Sequence, residues 1–182
     1  MVPDLKSARL RLEKVSLKHK SQTYLTWLND QEVYKYLESG GNYSMNQLEE
    51  YLARAEANEG LLFWAIIRND NGKHIGNIKI DPVHKVHNRG EYGILIGDKS
   101  AWGKGFAKEA SLAVLSFAFT SLQLRKVTLG VVEENVAAVR LYEKMGFIIE
   151  GRHIDHSIYN GRLCNTLRMA FFRDNYLARY CG

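Results

Sequence analysis

Gly97-Asp98-Lys99-Ser100-Ala101-Trp102-Gly103-Lys104-Gly105-Phe106-Ala107 joins a β-like run to a long amphipathic helix, and the reading of that junction decides the fold. Upstream, Glu91 to Ile96 alternates, with Tyr92, Ile94 and Ile96 on one face and Glu91, Gly93 and Leu95 on the other, the two-residue period of a strand. Downstream, Phe106, Ala110, Ala113 and Phe117 recur at intervals of four, three and four, one helical stripe for packing on a sheet. Arg125 to Val132 follows as a second β-like run, with Val127, Leu129 and Val131 on one face. A strand, loop, helix, strand unit makes the two strands parallel neighbours, and ligands of such sheets sit at the strands' carboxyl ends. Gly103 and Gly105 let the loop backbone turn with no Cβ in the way. Successive N–H groups can then converge at the positive end of the helix dipole, where a pyrophosphate fits.

The second informative stretch is Glu133 to Phe147. Asn135 reads as an N-cap and Gly146 as a C-terminal stop, bounding a helix of about three turns. Ala138, Leu141, Tyr142 and Met145 form its stripe. Asn135 and Tyr142 share a face roughly 10 Å apart along the axis, with small Ala138 between them. Two readings stay open at this point: an extended ligand lies along that face, or Asn135 only caps and Tyr142 is a half-buried core tyrosine.

Together the two stretches resemble the GNAT superfamily of acetyl-CoA-dependent N-acetyltransferases. The family's loop pattern falls on Ser100, Gly103 and Gly105, with Ser100 departing from the usual long polar side chain, and its second pattern falls on Asn135, Ala138, Tyr142, Lys144, Gly146 and Phe147. Arg9-Leu10-Arg11-Leu12, Gly151-Arg152, Asn160-Gly161 and Arg168-Met169 are similar to the branch holding ribosomal-protein-alanine, spermidine and nucleotide-amino-sugar acetyltransferases. The resemblance implies an α/β fold with a mixed, mostly antiparallel sheet, a splayed parallel strand pair and helices on both faces. It also implies acetyl-CoA as co-substrate, held by Leu95, Ile96 and Gly97, by Trp102, Gly103, Lys104, Gly105, Phe106 and Ala107, and by Asn135 and Ala138, with pantetheine in the splay.

The chain has 182 residues, 46% of them hydrophobic, enough for the substantial core of a single domain over 1–182. No stretch reaches transmembrane length and the N-terminus lacks a signal peptide's apolar run, so a cytoplasmic location without membrane attachment is expected. Cys164 and Cys181 show no CxxC spacing and no histidines pair with them, which argues against a zinc site and for reduced thiols. The net charge of +5 is spread along the chain, without the dense cluster of a nucleic-acid groove, so no nucleic-acid partner is expected. Lys99, Lys104 and Lys108 flank the loop, where they meet either phosphate or solvent. A homodimer stays open as an assembly.

Acetyl transfer needs a neutral amine, a donor for the developing oxyanion and a proton for the leaving thiolate. Tyr142 is the expected acid, partly from its place on the helix face and partly because the family's tyrosine has that role. Strand N–H groups around Leu95 and Ile96 are expected to hold the thioester carbonyl. Glu91 is the expected base, with Glu133 or the Asp155 and His156 pair as alternatives and no metal required. The acceptor pocket is expected from Tyr36, Glu38, Asp155 and His156, with Trp27, Tyr34 and Tyr43 nearby as pocket or satellite core. Asp30, Glu32 and Glu38 are offset by Lys35, which lowers the polyamine reading below a protein N-terminus or an amino-sugar nucleotide as the amine acceptor. A non-catalytic acetyl-CoA sensor is the competing class, and a dinucleotide enzyme is disfavoured because the loop lacks a third glycine. Strands are expected near 8–14, 62–69, 73–81, 90–97, 125–132, 147–157 and 163–172. Helices are expected near 17–29, 45–58, 104–121, 135–145 and after Arg173, with a hairpin turn at Asn69-Asp70-Asn71-Gly72.

Overall fold

The computed structural model describes residues 2–37 and 40–182. Its strands are β1 (Leu5–Lys6), β2 (Leu10–Lys14), β3 (Leu62–Arg68), β4 (His74–His84), β5 (Arg89–Ile96), β6 (Lys126–Val132), β7 (Ile148–Tyr159) and β8 (Arg162–Phe172). The helices are α1 (Gln22–Asn29), α2 (Gln31–Tyr34), α3 (Met45–Ala57), α4 (Phe106–Ser116), α5 (Val136–Met145) and α6 (Arg173–Tyr180). The sheet is mixed and mostly antiparallel, with β5 and β6 its parallel pair, as expected. Two compact units share the chain, one comprising Met1–Asp81 with Gly93–Val114 and the other Pro82–Tyr92 with Leu115–Gly182. Among the described residues no helix is long and apolar enough to cross a membrane.

In the first unit β1, β2, β3 and β4 lie side by side. The Asn69–Gly72 turn forms as expected, closed by Arg68 N–H to the Lys73 carbonyl at 2.9 Å. Phe63, Ala65 and Ile67 of β3 meet Tyr24, Trp27, Leu28, Leu48 and Leu52 of α1 and α3 in one buried cluster. The alternate residues Trp64 and Ile66 are also fully buried, facing the other way. On that side Arg68 and Arg9 lay their guanidinium groups over Phe106 of α4, at 5.1 and 4.5 Å from the ring centre. Helices therefore cover both faces here. Trp27 belongs to this core, beside Tyr24 and His74, which decides between pocket and core for that residue.

The expected helix at 17–29 divides at Lys20 and Ser21. Ser21 caps α1 by accepting from Tyr24 N–H, Lys20 stays extended, and only a 3-10 turn forms at Leu17–His19. The helix expected at 104–121 starts later, at Phe106, and finishes as a π-wound turn at Phe117–Ser121. Its buried side is also wider than the expected stripe. Phe106 and Ala110 are buried, Ala113 and Phe117 only half so, while Ser111, Val114, Leu115, Ala118 and Phe119 are fully enclosed. Ser111 is tolerated there because its hydroxyl donates to the Ala107 carbonyl at 2.6 Å.

In the second unit the strand order is β5, β6, β8, β7. Parallel pairing of β5 with β6 covers only Arg89–Glu91 against Lys126–Thr128. Beyond Thr128, β6 continues paired with β8 as far as Val132 opposite Thr166. One face of this sheet is closed by aromatic packing of Phe119, Phe147, Tyr176 and Phe171. The opposite face carries buried Thr128 and Thr166 beside exposed Gly130 and His153 and half-buried Arg168.

Gly97 ties the end of β5 to the first unit's core, because a Cβ there would stand 2.2 Å from the Trp27 ring. Gly97→Ala should therefore force the indole or the strand aside and lower stability by about 1–3 kcal/mol. Urea unfolding checks this, and an unchanged midpoint would mean that the contact is not a constraint.

Candidate functional site

The glycine loop belongs to the first unit and is held by hydrogen bonds at several of its residues. Gly97 and Asp98 N–H groups both donate to the Ile75 carbonyl, at 3.0 and 3.1 Å. The Asp98 carboxylate caps the 3-10 turn at Lys99–Ala101, accepting from Ser100 N–H at 3.0 Å and its hydroxyl at 2.7 Å. Burial works to raise the Asp98 carboxyl, but the Lys73 ammonium at 2.8 Å and the two Ser100 donors outweigh it and hold it below its ordinary value. Ser100, the residue that departs from the family pattern, thus spends its side chain on the turn itself.

Gly103 and Gly105 take φ of +72° and +79°, the left-handed region a Cβ disfavours, and α4 starts immediately afterwards. Among the described residues, none beyond its chain neighbours lies within 4 Å of where a Gly103 Cβ would stand. The first N–H groups of α4 have no partner within the helix, so the loop offers backbone donors and a positive dipole end toward open space. Glu109 in that first turn would repel an anion if left alone. Burial pushes its carboxyl up, yet Arg9 N–H, the Ser7 hydroxyl and the Arg9 guanidinium, at 2.6–2.7 Å, bring it below the ordinary value. The same Arg9 donates to the Lys104 carbonyl at 3.0 Å and so braces the loop. Arg9 was visible in the sequence only as part of a strand pattern.

The other expected cofactor residues of this unit divide between backbone and packing roles. Trp102 Nε1 donates to the Ile96 carbonyl at 2.8 Å while its ring stays exposed. Phe106 is buried beneath the two arginines, and the Leu95 carbonyl lies close enough to Gly76 that a Cβ there would be only 2.1 Å away. Ile94 and Ile96, expected on one strand face with Tyr92, are half-exposed where Tyr92 is buried. Lys104 and Lys108 are exposed, whereas Lys99 binds Asp30 and Glu32 at 2.7 Å each, which pushes its ammonium up to about 12. The cation that offsets those two acids is therefore Lys99, not Lys35, which sits over the Tyr36 ring at 5.0 Å.

In the second unit α5 forms with the expected ends. Asn135 Oδ1 accepts from Ala138 N–H at 3.3 Å, and Gly146 closes the helix from the left-handed region. Tyr142 projects into an aromatic group with Tyr92 and Phe147, at centroid distances of 5.9 and 5.7 Å. Burial alone pushes its phenol up to about 12, so the hydroxyl keeps its proton throughout the neutral range.

Glu91 Oε2 accepts from the Thr128 hydroxyl at 2.5 Å and from Arg168 Nη2 at 2.8 Å. Glu133 is held more completely. Arg152 grips both of its oxygens at 2.7–3.0 Å and Asn165 adds a third donor, lowering its carboxyl from the ordinary value. Asn165 also accepts from Asp155 N–H at 3.0 Å, stabilising a β7 bulge between His153 and Ser157 in which Asp155 has φ of +49°. Asp155 and His156 are exposed on that bulge, with His156 against His153 at 4.7 Å. Tyr36 is half-buried in the first unit, and Glu38 lies outside the described residues. Thr128 and Asn165 had no role in the sequence reading, and Arg152 and Arg168 entered it only as part of the branch resemblance, because the partners of all four lie far away along the chain.

The model of the acetyltransferase (GNAT) domain matches residues 9–148. The spermidine N(1)-acetyltransferase of Vibrio cholerae is 31% identical over 152 residues, 83% of this chain and 86% of that relative. The spermidine N(1)-acetyltransferase of Escherichia coli K12 is 34% identical over 110 residues, and the match spans only 59% of its length. Among solved structures, the V. cholerae spermidine N-acetyltransferase in complex with CoA and spermine superposes with a TM-score of 0.83 at 26% identity, covering 94% of this chain and 99% of the other. An acetyltransferase of the same family from Bacillus anthracis gives 0.82 at 21% identity over 94% and 99% of the two chains.

The burial of Tyr142 has a consequence for stability. A phenol raised from 10.0 to about 12 on folding contributes stability that is complete below pH 10 and is lost as pH rises through 12. Tyr142→Phe removes that dependence. Relative to it, the wild type should lose up to about 3 kcal/mol across that window, read from denaturant unfolding at a series of alkaline pH values. Parallel curves would mean that the hydroxyl is solvated.

Proposed function

Because this chain belongs to the GNAT acetyltransferase family, we propose that it is a single-domain enzyme that transfers the acetyl group of acetyl-CoA directly to a primary amine. The observation that carries the reading is the buried, protonated phenol of Tyr142 at the family's tyrosine position. In the proposed step the amine lone pair forms a C–N bond to the acetyl carbon and the C–S bond breaks with its electron pair on sulfur. The thiolate takes the Tyr142 proton, and the ammonium proton leaves to Glu91, directly or through water. The phenolate is restored from solvent.

Acetyl-CoA supplies the activated acetyl group. The Gly103–Ala107 backbone and the start of α4 suit its pyrophosphate, since two positive-φ glycines expose N–H groups there and Arg9 neutralises the one acid of the first turn. Lys104 and Lys108 remain as cations for it, and Lys99 does not, being bound to two carboxylates.

A polyamine is the acceptor class best supported by the relatives, among them the spermidine N(1)-acetyltransferases of E. coli and V. cholerae. That reverses the order suggested by acid and base counts in the sequence. A protein N-terminus or an amino-sugar nucleotide stands second, favoured by the pairing of Asp30, Glu32, Glu91 and Glu133 with internal cations, which leaves them less charge for a polycation.

Thiol release measured with a panel of amines tests both levels together. Spermidine should give the highest kcat/KM, and turnover confined to peptides or amino sugars would move the acceptor class. Tyr142→Phe should lower kcat by roughly ten- to a thousandfold with acetyl-CoA affinity nearly intact, and unchanged turnover limited by chemistry would return Tyr142 to core packing. Replacing Gly103 and Gly105 by Val should weaken acetyl-CoA binding about tenfold or more, because β-branched residues resist positive φ. Calorimetry on the folded variant reads this directly, and wild-type affinity would exclude the loop.

A further inference from the structure

Arg168 stands on β8 directly opposite Gly130 of β6 on one side and Gly151 of β7 on the other. Its guanidinium does not point along its own strand. It passes over Gly130, where a Cβ would come within 2.9 Å of Nη1, and reaches Glu91 on β5 with Nη2. From β8 across β6 to β5 is two strand spacings, roughly 10 Å, near the full reach of an arginine. Gly130 is therefore the gap through which this contact is made.

Glu91 and Thr128 are the last residues of β5 and β6 paired in parallel. Both donors, the Thr128 hydroxyl and Arg168 Nη2, converge on Oε2 of Glu91. Neither engages Oε1, and the side chain stays about one quarter exposed. A free glutamate has three rotatable bonds, so an unheld carboxylate would spend most of its time away from any one geometry. Here Oε2 is fixed from two directions, and neither of these two donors occupies Oε1.

We propose that Arg168 is a positioning residue for acetyl transfer: it fixes the Glu91 carboxylate through Oε2 so that Oε1 is presented to the acceptor amine and takes its proton. The inference rests on the acetyl-transfer reading and adds to it a residue that touches neither acetyl-CoA nor amine. Thr128 completes the holder, and Gly130 is required because any larger residue displaces the guanidinium.

The test uses kcat, acetyl-CoA Kd and Tm measured together on the full chain. Arg168→Gln should lower kcat about tenfold, modest beside the hundredfold that a misplacement of about 1 Å can cost, without changing acetyl-CoA Kd. Arg168→Lys should recover part of the loss, since a single charge-assisted bond is what must be replaced. Arg168→Ala should be rescued by added methylguanidine, which a structural ion pair would not allow. Gly130→Ala is the independent variant: only the flexible end of Arg168 has to move, so Tm should hold while kcat falls. In a Glu91→Gln background, Arg168→Gln should add less than about twofold, because the two residues act as one unit. Wild-type kcat in folded Arg168→Gln, equal losses with and without Glu91, or a Tm loss with no methylguanidine rescue would each overturn the proposal while wild-type turnover keeps the acetyl-transfer reading. A wild type that acetylates no amine would overturn both.

Discussion

Parallel pairing of β5 with β6 stops after three residue pairs, and much of the second unit's chemistry is arranged around that stop. Strand backbones normally satisfy each other over their full length, so an early end to pairing leaves polar groups that need other partners. Here the end is marked by side chains. Thr128 and Arg168 close on Glu91 at the last pair, and β6 turns its remaining residues to β8. The limit on pairing thus converts a strand end into a place where a carboxylate is held at a defined position.

A similar economy governs the loop of the first unit. Its charged groups are mostly engaged with each other: Asp98 with Lys73, Glu109 with Arg9, Lys99 with Asp30 and Glu32. What remains directed outward is backbone at two glycines and the start of α4, together with the exposed side chains of Lys104 and Lys108. An anion there would be met by oriented peptide dipoles more than by side-chain charge, an arrangement that needs no reorganisation on binding. For the proposed phosphate contact, specificity would then depend on backbone geometry, and the departure at Ser100 is accommodated because its hydroxyl and N–H serve the turn that shapes the loop.

The aromatic surroundings of Tyr142 serve packing and chemistry together. Tyr92 and Phe147 fix the ring, and the same burial keeps the phenol protonated well past neutral pH. The sequence left two readings of this tyrosine open, core residue or ligand-facing residue. Its ring answers to the first, and the protonated hydroxyl is what the acetyl-transfer proposal uses.

Local signals made much of this architecture legible before any contact was known. Asn135 and Gly146 bounded α5, Asn69–Gly72 gave a hairpin, and Gly103 with Gly105 gave a positive-φ loop, because capping and turn chemistry act within a few residues. The same local reading missed the break at Lys20, after which Ser21 caps a new helix, and placed the buried stripe of α4 too narrowly. Charge pairing was beyond it altogether. Lys99 finds Glu32 across 67 residues and Arg168 finds Glu91 across 77, so a flanking lysine left open between phosphate and solvent became an internal counterion, and an arginine noted only for its resemblance to the branch came to hold the expected base. Coulombic attraction depends on distance in space, which only the tertiary fold sets, whereas a cap or a turn is already specified by its neighbours along the chain.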